Sequence, residues 1–170
     1  MALDDYTRGV LSKLQLDARN KPFYTPALMA YLRGVGMTLS NAEDTRARDR
    51  GQTGRDYIRS VDDAGRNYEQ GRQNLTANLV SRGIFSSGEA NDRYAKQDAE
   101  RGRQMSQLAE GKANRLTAID RAYGQVEDSL RQQTVERMLG AEQDEATRKA
   151  TAKAQKDQQD QLLKFYQGQK

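Results

Sequence analysis

Tyr57, Val61, Ala64, Tyr68, Gly71 and Leu75 follow one another at spacings of four, three, four, three and four, the seam of a heptad helix. Such a seam is narrow, since it needs about two apolar residues in seven where a helix of a globular domain needs three or more. The chain has little more than that to bury. Leu, Val, Ile and Phe together make 27 of its 170 residues, about 16%. Mean hydropathy is −1.01 and 31% of the side chains are charged, but the formal net charge is only +4, so self-repulsion does not enforce unfolding. Long helices burying a thin stripe reconcile these numbers. The expected fold is all-α: an elongated helical hairpin with coiled-coil-like long helices and a short N-terminal helical segment.

Absences narrow the chemistry. The chain has no Cys, no His and no Trp, which excludes disulfide frameworks, thiolate or imidazole metal sites, and nucleophiles activated by His. Only carboxylate or lysine mechanisms survive. The adjacent pairs Asp62/Asp63 and Glu127/Asp128 point about 100° apart on a helix and cannot share a proton. Glu142, Asp144 and Glu145 lack the loop that would hold a divalent cation, and no glycine-rich phosphate cradle is present. No enzyme, cofactor or small-molecule substrate is expected. No stretch has the ~18 to 20 apolar residues of a membrane span, and the first residues do not read as a secretory leader, so no membrane partner is expected and synthesis in a cytoplasm is.

Along the chain, Leu3, Tyr6, Val10 and Leu14 predict an amphipathic helix within residues 1–21, with Asp4 and Asp5 at its favourable N-terminal end. Pro22 and Pro26 break it, and the segment Pro22, Phe23, Tyr24 and Pro26 reads as a docking segment. Thr25 can cap a second, short helix with Pro26 at its first position. Residues 41–54 interleave acids and bases with almost nothing to bury, and read as a solvated helix face or a mobile connection. Residues 22–54 thus form a linker, a short helix and a polar connection.

Residues 55–143 read as an antiparallel αα-hairpin with its turn at 81–88. Gly83 suits the left-handed position after a helix end, with Ile84 folding back on the last turn. Ser86 and Glu89 stand in capping-box spacing for the helix that follows. Ile84 and Phe85 are left at the tip. Beyond it, Met105, Leu108, Leu116, Ile119, Tyr123, Val126 and Leu130 carry a second seam, and 144–170 is a polar helical tail. A helix from Glu89 to Tyr166 would run about 115 Å against roughly 40 Å for its mate from Tyr57 to Arg82. Most of it should therefore lack a partner within the chain, leaving residues from Leu116 to Leu130 wet. The interface expected to be covered by other molecules comprises Tyr57, Val61, Tyr68, Leu75, Leu79, Ile84, Phe85, Met105, Leu108, Leu116, Ile119, Tyr123, Val126 and Leu130.

The sequence pI of about 9.3, with 19 arginines, raises nucleic acid as a partner. Charge placement argues against it, because Arg46, Arg48, Arg50, Arg55 and Arg59 alternate with Glu43, Asp44, Asp49 and Asp56. Tyr57, Tyr68 and Tyr123 fall on helical seams, where packing is favoured over base stacking.

The run from Gln73 to Gly88, QNLTANLVSRGIFSSG, resembles a pattern in minor tail or minor structural proteins of tailed bacteriophages: a helix closing in a Leu-x-x-Arg-Gly-Ile-like turn, then Ser-Gly, then a long polar helix. The resemblance extends loosely from Tyr57 to Gln143. It implies a virion structural component in the tail, neck or connector region, in multiple copies, with copies of itself and other virion proteins as partners. It carries no catalytic residue. The alternatives are an internal head protein, either a scaffold or one ejected with the genome, and a DNA-contacting packaging factor.

Overall fold

Three α-helices account for the regular structure of the computed structural model, which describes residues 4–16 and 25–167, with the backbone alone for 162–167. They are α1 (Asp5–Lys13), α2 (Pro26–Ser81) and α3 (Gly88–Gln167), and no strand occurs among the described residues. The chain is an all-α helical hairpin with a short N-terminal helix. Of the expected docking segment, Pro22, Phe23 and Tyr24 lie outside the described residues, and Pro26 is the exposed first residue of α2.

Each helix end has a local cause. The Asp4 carboxylate caps α1 by accepting from the Thr7 N–H at 2.8 Å and from the Thr7 hydroxyl. Thr25 caps α2, its hydroxyl accepting from the Leu28 N–H at 3.1 Å. At the other end of α2, Gly83 takes φ +68°, the Ile84 N–H reaches the Leu79 carbonyl at 3.1 Å and the Gly83 N–H reaches Val80 at 3.0 Å, a complete Schellman stop. The cap of α3 is Ser87, not the expected Ser86. The Ser87 hydroxyl accepts from the Ala90 N–H at 3.3 Å, and Glu89 accepts from Arg93 at 2.7 Å instead of closing a capping box. The chain needs one more residue after the Schellman turn before it can re-enter a helix, and that residue is also a serine.

The largest departure from the sequence reading is the continuity of α2. Residues 41–54, expected as the end of a short helix and a polar connection, are helical throughout. No proline interrupts them, and their inward positions are stabilised by charge in place of hydrocarbon, as described below. The mate of α3 is therefore 56 residues long. Met105, Leu108, Leu116, Ile119, Tyr123 and Leu130, expected to need other molecules as cover, are half-buried within the chain, and only Val126 of that set is exposed.

The chain divides into two units, Met1–Ala42 with Gly124–Lys170, and Glu43–Tyr123. The first holds the hydrophobic core. Leu11 of α1 packs with Leu28, Met29 and Leu32 of α2 and Met138 of α3, while Val10 and Leu14 pack with Val35 and, at the margin, Leu130. Burying each such side chain contributes about 1.5–3 kcal/mol. α1 approaches α2 closely at Gly36, where a Cβ would stand 2.5 Å from the Tyr6 hydroxyl and 2.6 Å from a Val10 methyl. Arg33 of α2 fastens the start of α1 by donating to Asp4 at 2.7 Å. Principally through that bond, and then through Thr7, the Asp4 carboxyl is held at about 2 against an ordinary 3.8.

Two tests follow from this docking. Gly36→Val should destabilise the fold by about 1–3 kcal/mol through overpacking against α1. Gly34→Ala, where a Cβ meets nothing within 4 Å, should gain up to ~1 kcal/mol of helix propensity; paired urea melts read the opposite signs. The Asp4 contribution, arising from a depressed carboxyl, should be complete above 3.8 and be lost as the pH falls through about 2. Asp4→Asn should abolish that acid-side dependence, measured as amide exchange of α1 against pH.

Candidate functional site: a tyrosine–cation ladder between the helices

In the unit Glu43–Tyr123 the buried apolar residues among those described are only Ala64, Leu79 and Ala90. What joins its two helices is a set of rungs. Arg46 of α2 lies over the Tyr123 ring of α3 at 4.7 Å. Eleven residues on along α2 and eleven back along α3, Lys112 lies over the Tyr57 ring at 4.5 Å. One further step of eleven on each helix brings Arg101 over Tyr68, again at 4.5 Å. The helices exchange roles between the first rung and the second, α2 supplying first the cation and then the ring. A third step brings Leu79 level with Ala90, both fully buried.

Acids flank alternate rungs. Asp120 accepts from Arg46 Nε at 2.8 Å and from Arg50 Nη1 at 3.0 Å, and the Arg46 hydrogen bond, above all, lowers its pKa. Twenty-two residues earlier, Asp98 accepts from the Tyr68 hydroxyl, which itself accepts from Arg72 at 2.7 Å, while Arg72 stands 3.7 Å from Asp98. Arg72 also lies over the Tyr94 ring at 5.4 Å, and the Tyr94 and Thr76 hydroxyls are 2.7 Å apart. These groups close on one another within the unit.

The step of eleven is a property of the sequence. Gly54-Arg55-Asp56-Tyr57 returns as Gly65-Arg66-Asn67-Tyr68, and on α3 the inward positions Tyr94, Met105, Leu116 and Glu127 succeed one another at the same interval. A period of eleven residues in three turns differs from the heptad inferred from residues 57–75. The two periods agree over that short window and part after it: a heptad would turn Asn78 inward, but Asn78 is exposed and Leu79 is buried. The same interval explains Val126, since Glu127, eleven after Leu116, takes the half-buried position.

The structure thus brings Tyr57, Tyr68 and Tyr123 into the ladder, half-buries Val61 and Leu75 beside it, and places Ile84 half-buried and Phe85 exposed at the tip. Sequence reasoning read Arg46 and Arg50 only as bases interleaved with acids and passed over Asp98, Arg101, Lys112 and Asp120. The repeated Gly-Arg-x-Tyr was the signal that could have found their register. No cluster of residues suited to a metal ion occurs among the described residues, and no described helix is long and apolar enough to cross a membrane. No family model, curated protein or solved structure matches the chain.

Sliding one helix by a single repeat would set Arg46 against Lys112 in one direction and Tyr57 against Tyr123 in the other. The ladder therefore specifies register as well as cohesion. Tyr57→Lys should oppose two ammonium groups and cost about 1–2 kcal/mol in urea unfolding. Adding Lys112→Glu should restore most of the loss, with a coupling of at least about 0.5 kcal/mol in the double-mutant cycle; additive losses would refute the rung.

Proposed function

We propose that the chain is a non-enzymatic structural component of a tailed-bacteriophage virion, in the tail, neck or connector region, assembled in multiple copies by helix packing with itself and other virion proteins. The observation that carries this reading is how the hairpin uses its polar groups. Its tyrosines, arginines and carboxylates engage one another to fix helix register, while apolar side chains stand outside: Ile58, Val80 and Phe85 in one unit, Val126, Val135 and Leu139 in the other. A register-locked helical scaffold with exposed apolar residues is suited to packing against neighbours. The resemblance of residues 73–88 to phage minor structural proteins supplies the setting, and the lack of His and Cys favours a role without chemistry.

A second reading, an internal head protein ejected with the genome, draws support from the scant apolar burial in Glu43–Tyr123, since a hairpin joined mainly by polar rungs opens at low free energy. At micromolar concentration the full chain should sediment as an oligomer; a well-folded monomer counts against multi-copy assembly. Peptides of the chain should be recovered from purified particles both before and after genome release. Recovery only before release would move the assignment to the ejected protein.

A further inference from the structure

In the unit formed by α1, the start of α2 and the end of α3, a cavity of about 560 Å³ opens between α2 and α3. Its walls include Leu28, Tyr31, Gln133, Glu136, Arg137 and Asp144. The Tyr31 hydroxyl is enclosed there with no hydrogen-bond partner, and Arg137 lies over its ring at 5.3 Å. Glu136 and Asp144 have no cation paired with them among the described residues, so a cavity walled in part by Leu28 and the Tyr31 ring carries two carboxylates against the single cation Arg137. Its volume falls in the range that accepts a large side chain or a small ligand.

The hairpin turn has the complementary chemistry. Phe85 is 51% exposed there, Arg82 is exposed with no acid paired to it, and the exposed Ser86 offers a hydroxyl. The Schellman stop at Gly83 fixes this segment, so little ordering free energy opposes its insertion into a partner. We infer that the turn of one copy docks into the Tyr31 cavity of a second copy, with Phe85 entering beside Leu28 and the Tyr31 ring and Arg82 against Glu136 and Asp144. The inference rests on the multi-copy reading above and names its contact. Because the two patches differ, the contact is head-to-tail and propagates from copy to copy into a ring or a filament.

The absence of cysteine from the chain makes the test clean. Ser86→Cys and Gly140→Cys, the latter on the cavity wall, are mixed as separate full-length chains and mildly oxidised, with helicity checked by circular dichroism. A mixed disulfide dimer should exceed either homodimer and exceed the product of Ser86→Cys with Ala118→Cys, an exposed position of the other unit. Phe85→Ser on the Ser86→Cys chain should lower the yield about tenfold. Arg82→Glu should lower it too, and Glu136→Arg on the partner should restore it. Equal yield with the Ala118→Cys control, or a dominant Ser86→Cys homodimer, overturns the contact. If the chain still sediments as an oligomer in that case, only this contact fails; if it is a monomer, multi-copy assembly fails with it.

Discussion

The hairpin depends on its two long helices sharing one period. An antiparallel pair keeps the same faces opposed over many turns only if both seams drift around their helices at the same rate. A strict seven-residue repeat drifts about 20° per heptad on a straight helix and must be corrected by supercoiling. Here α2 and α3 both return to the same face after eleven residues, so each step up one helix meets an equal step down the other: Arg46 with Tyr123, Tyr57 with Lys112, Tyr68 with Arg101. That agreement lets a chain with so little hydrocarbon hold two long helices together.

The two units divide the work differently. In the first, the branched and straight aliphatic residues of α1, α2 and α3 form an ordinary core, and the fully buried Leu11 and Leu32 anchor it. In the second, a cation on a tyrosine face is worth about 0.5–1 kcal/mol where it is exposed, and the flanking ion pairs between half-exposed side chains contribute about as little. Three such rungs cannot match a core in free energy. They add specificity, because an aliphatic seam tolerates a shift of one repeat, whereas the single exchange of ring and cation between the first two rungs sets two cations or two rings against each other on shifting.

Much of this was legible in the residues. Val10 and Leu14 of the α1 seam, whose Leu3 lies outside the described residues and whose Tyr6 is exposed, the Thr25-Pro26 start, the Gly83 stop and the unbroken run of helix formers after it each follow from local physics that tertiary contacts leave intact. The stretch 41–54 was only half legible: a solvated helix face was one of its two readings, but no neighbour in sequence shows that Asp120, more than 65 residues away, gives Arg46 and Arg50 a reason to face inward. The period was legible only outside the window from Tyr57 to Leu75, whose apolar spacing suits seven as well as eleven, in the return of Gly54-Arg55-Asp56-Tyr57 as Gly65-Arg66-Asn67-Tyr68. Ser87 and Ser86 differ only by where the Schellman turn releases the chain, a distinction of one residue that composition cannot make.

The basic character of the chain takes on a different meaning in this light. A pI of 9.3 built on 19 arginines suggests a phosphate-binding surface when the residues are only counted. Arg33 is committed to Asp4, Arg46 and Arg50 to Asp120, Arg72 to Asp98 and two rings, Arg93 to Glu89, and Arg101 and Arg137 to tyrosine faces. At these seven arginines a polyanion would have to compete with an internal partner, losing an ion pair or a ring contact for each phosphate gained. Arginine suits this internal role better than lysine, because its planar group can lie on a ring and still donate in its own plane to a carboxylate, as Arg46 does between Tyr123 and Asp120. Six of the 19 arginines, Arg33, Arg46, Arg50, Arg72, Arg101 and Arg137, are used between helices in this way.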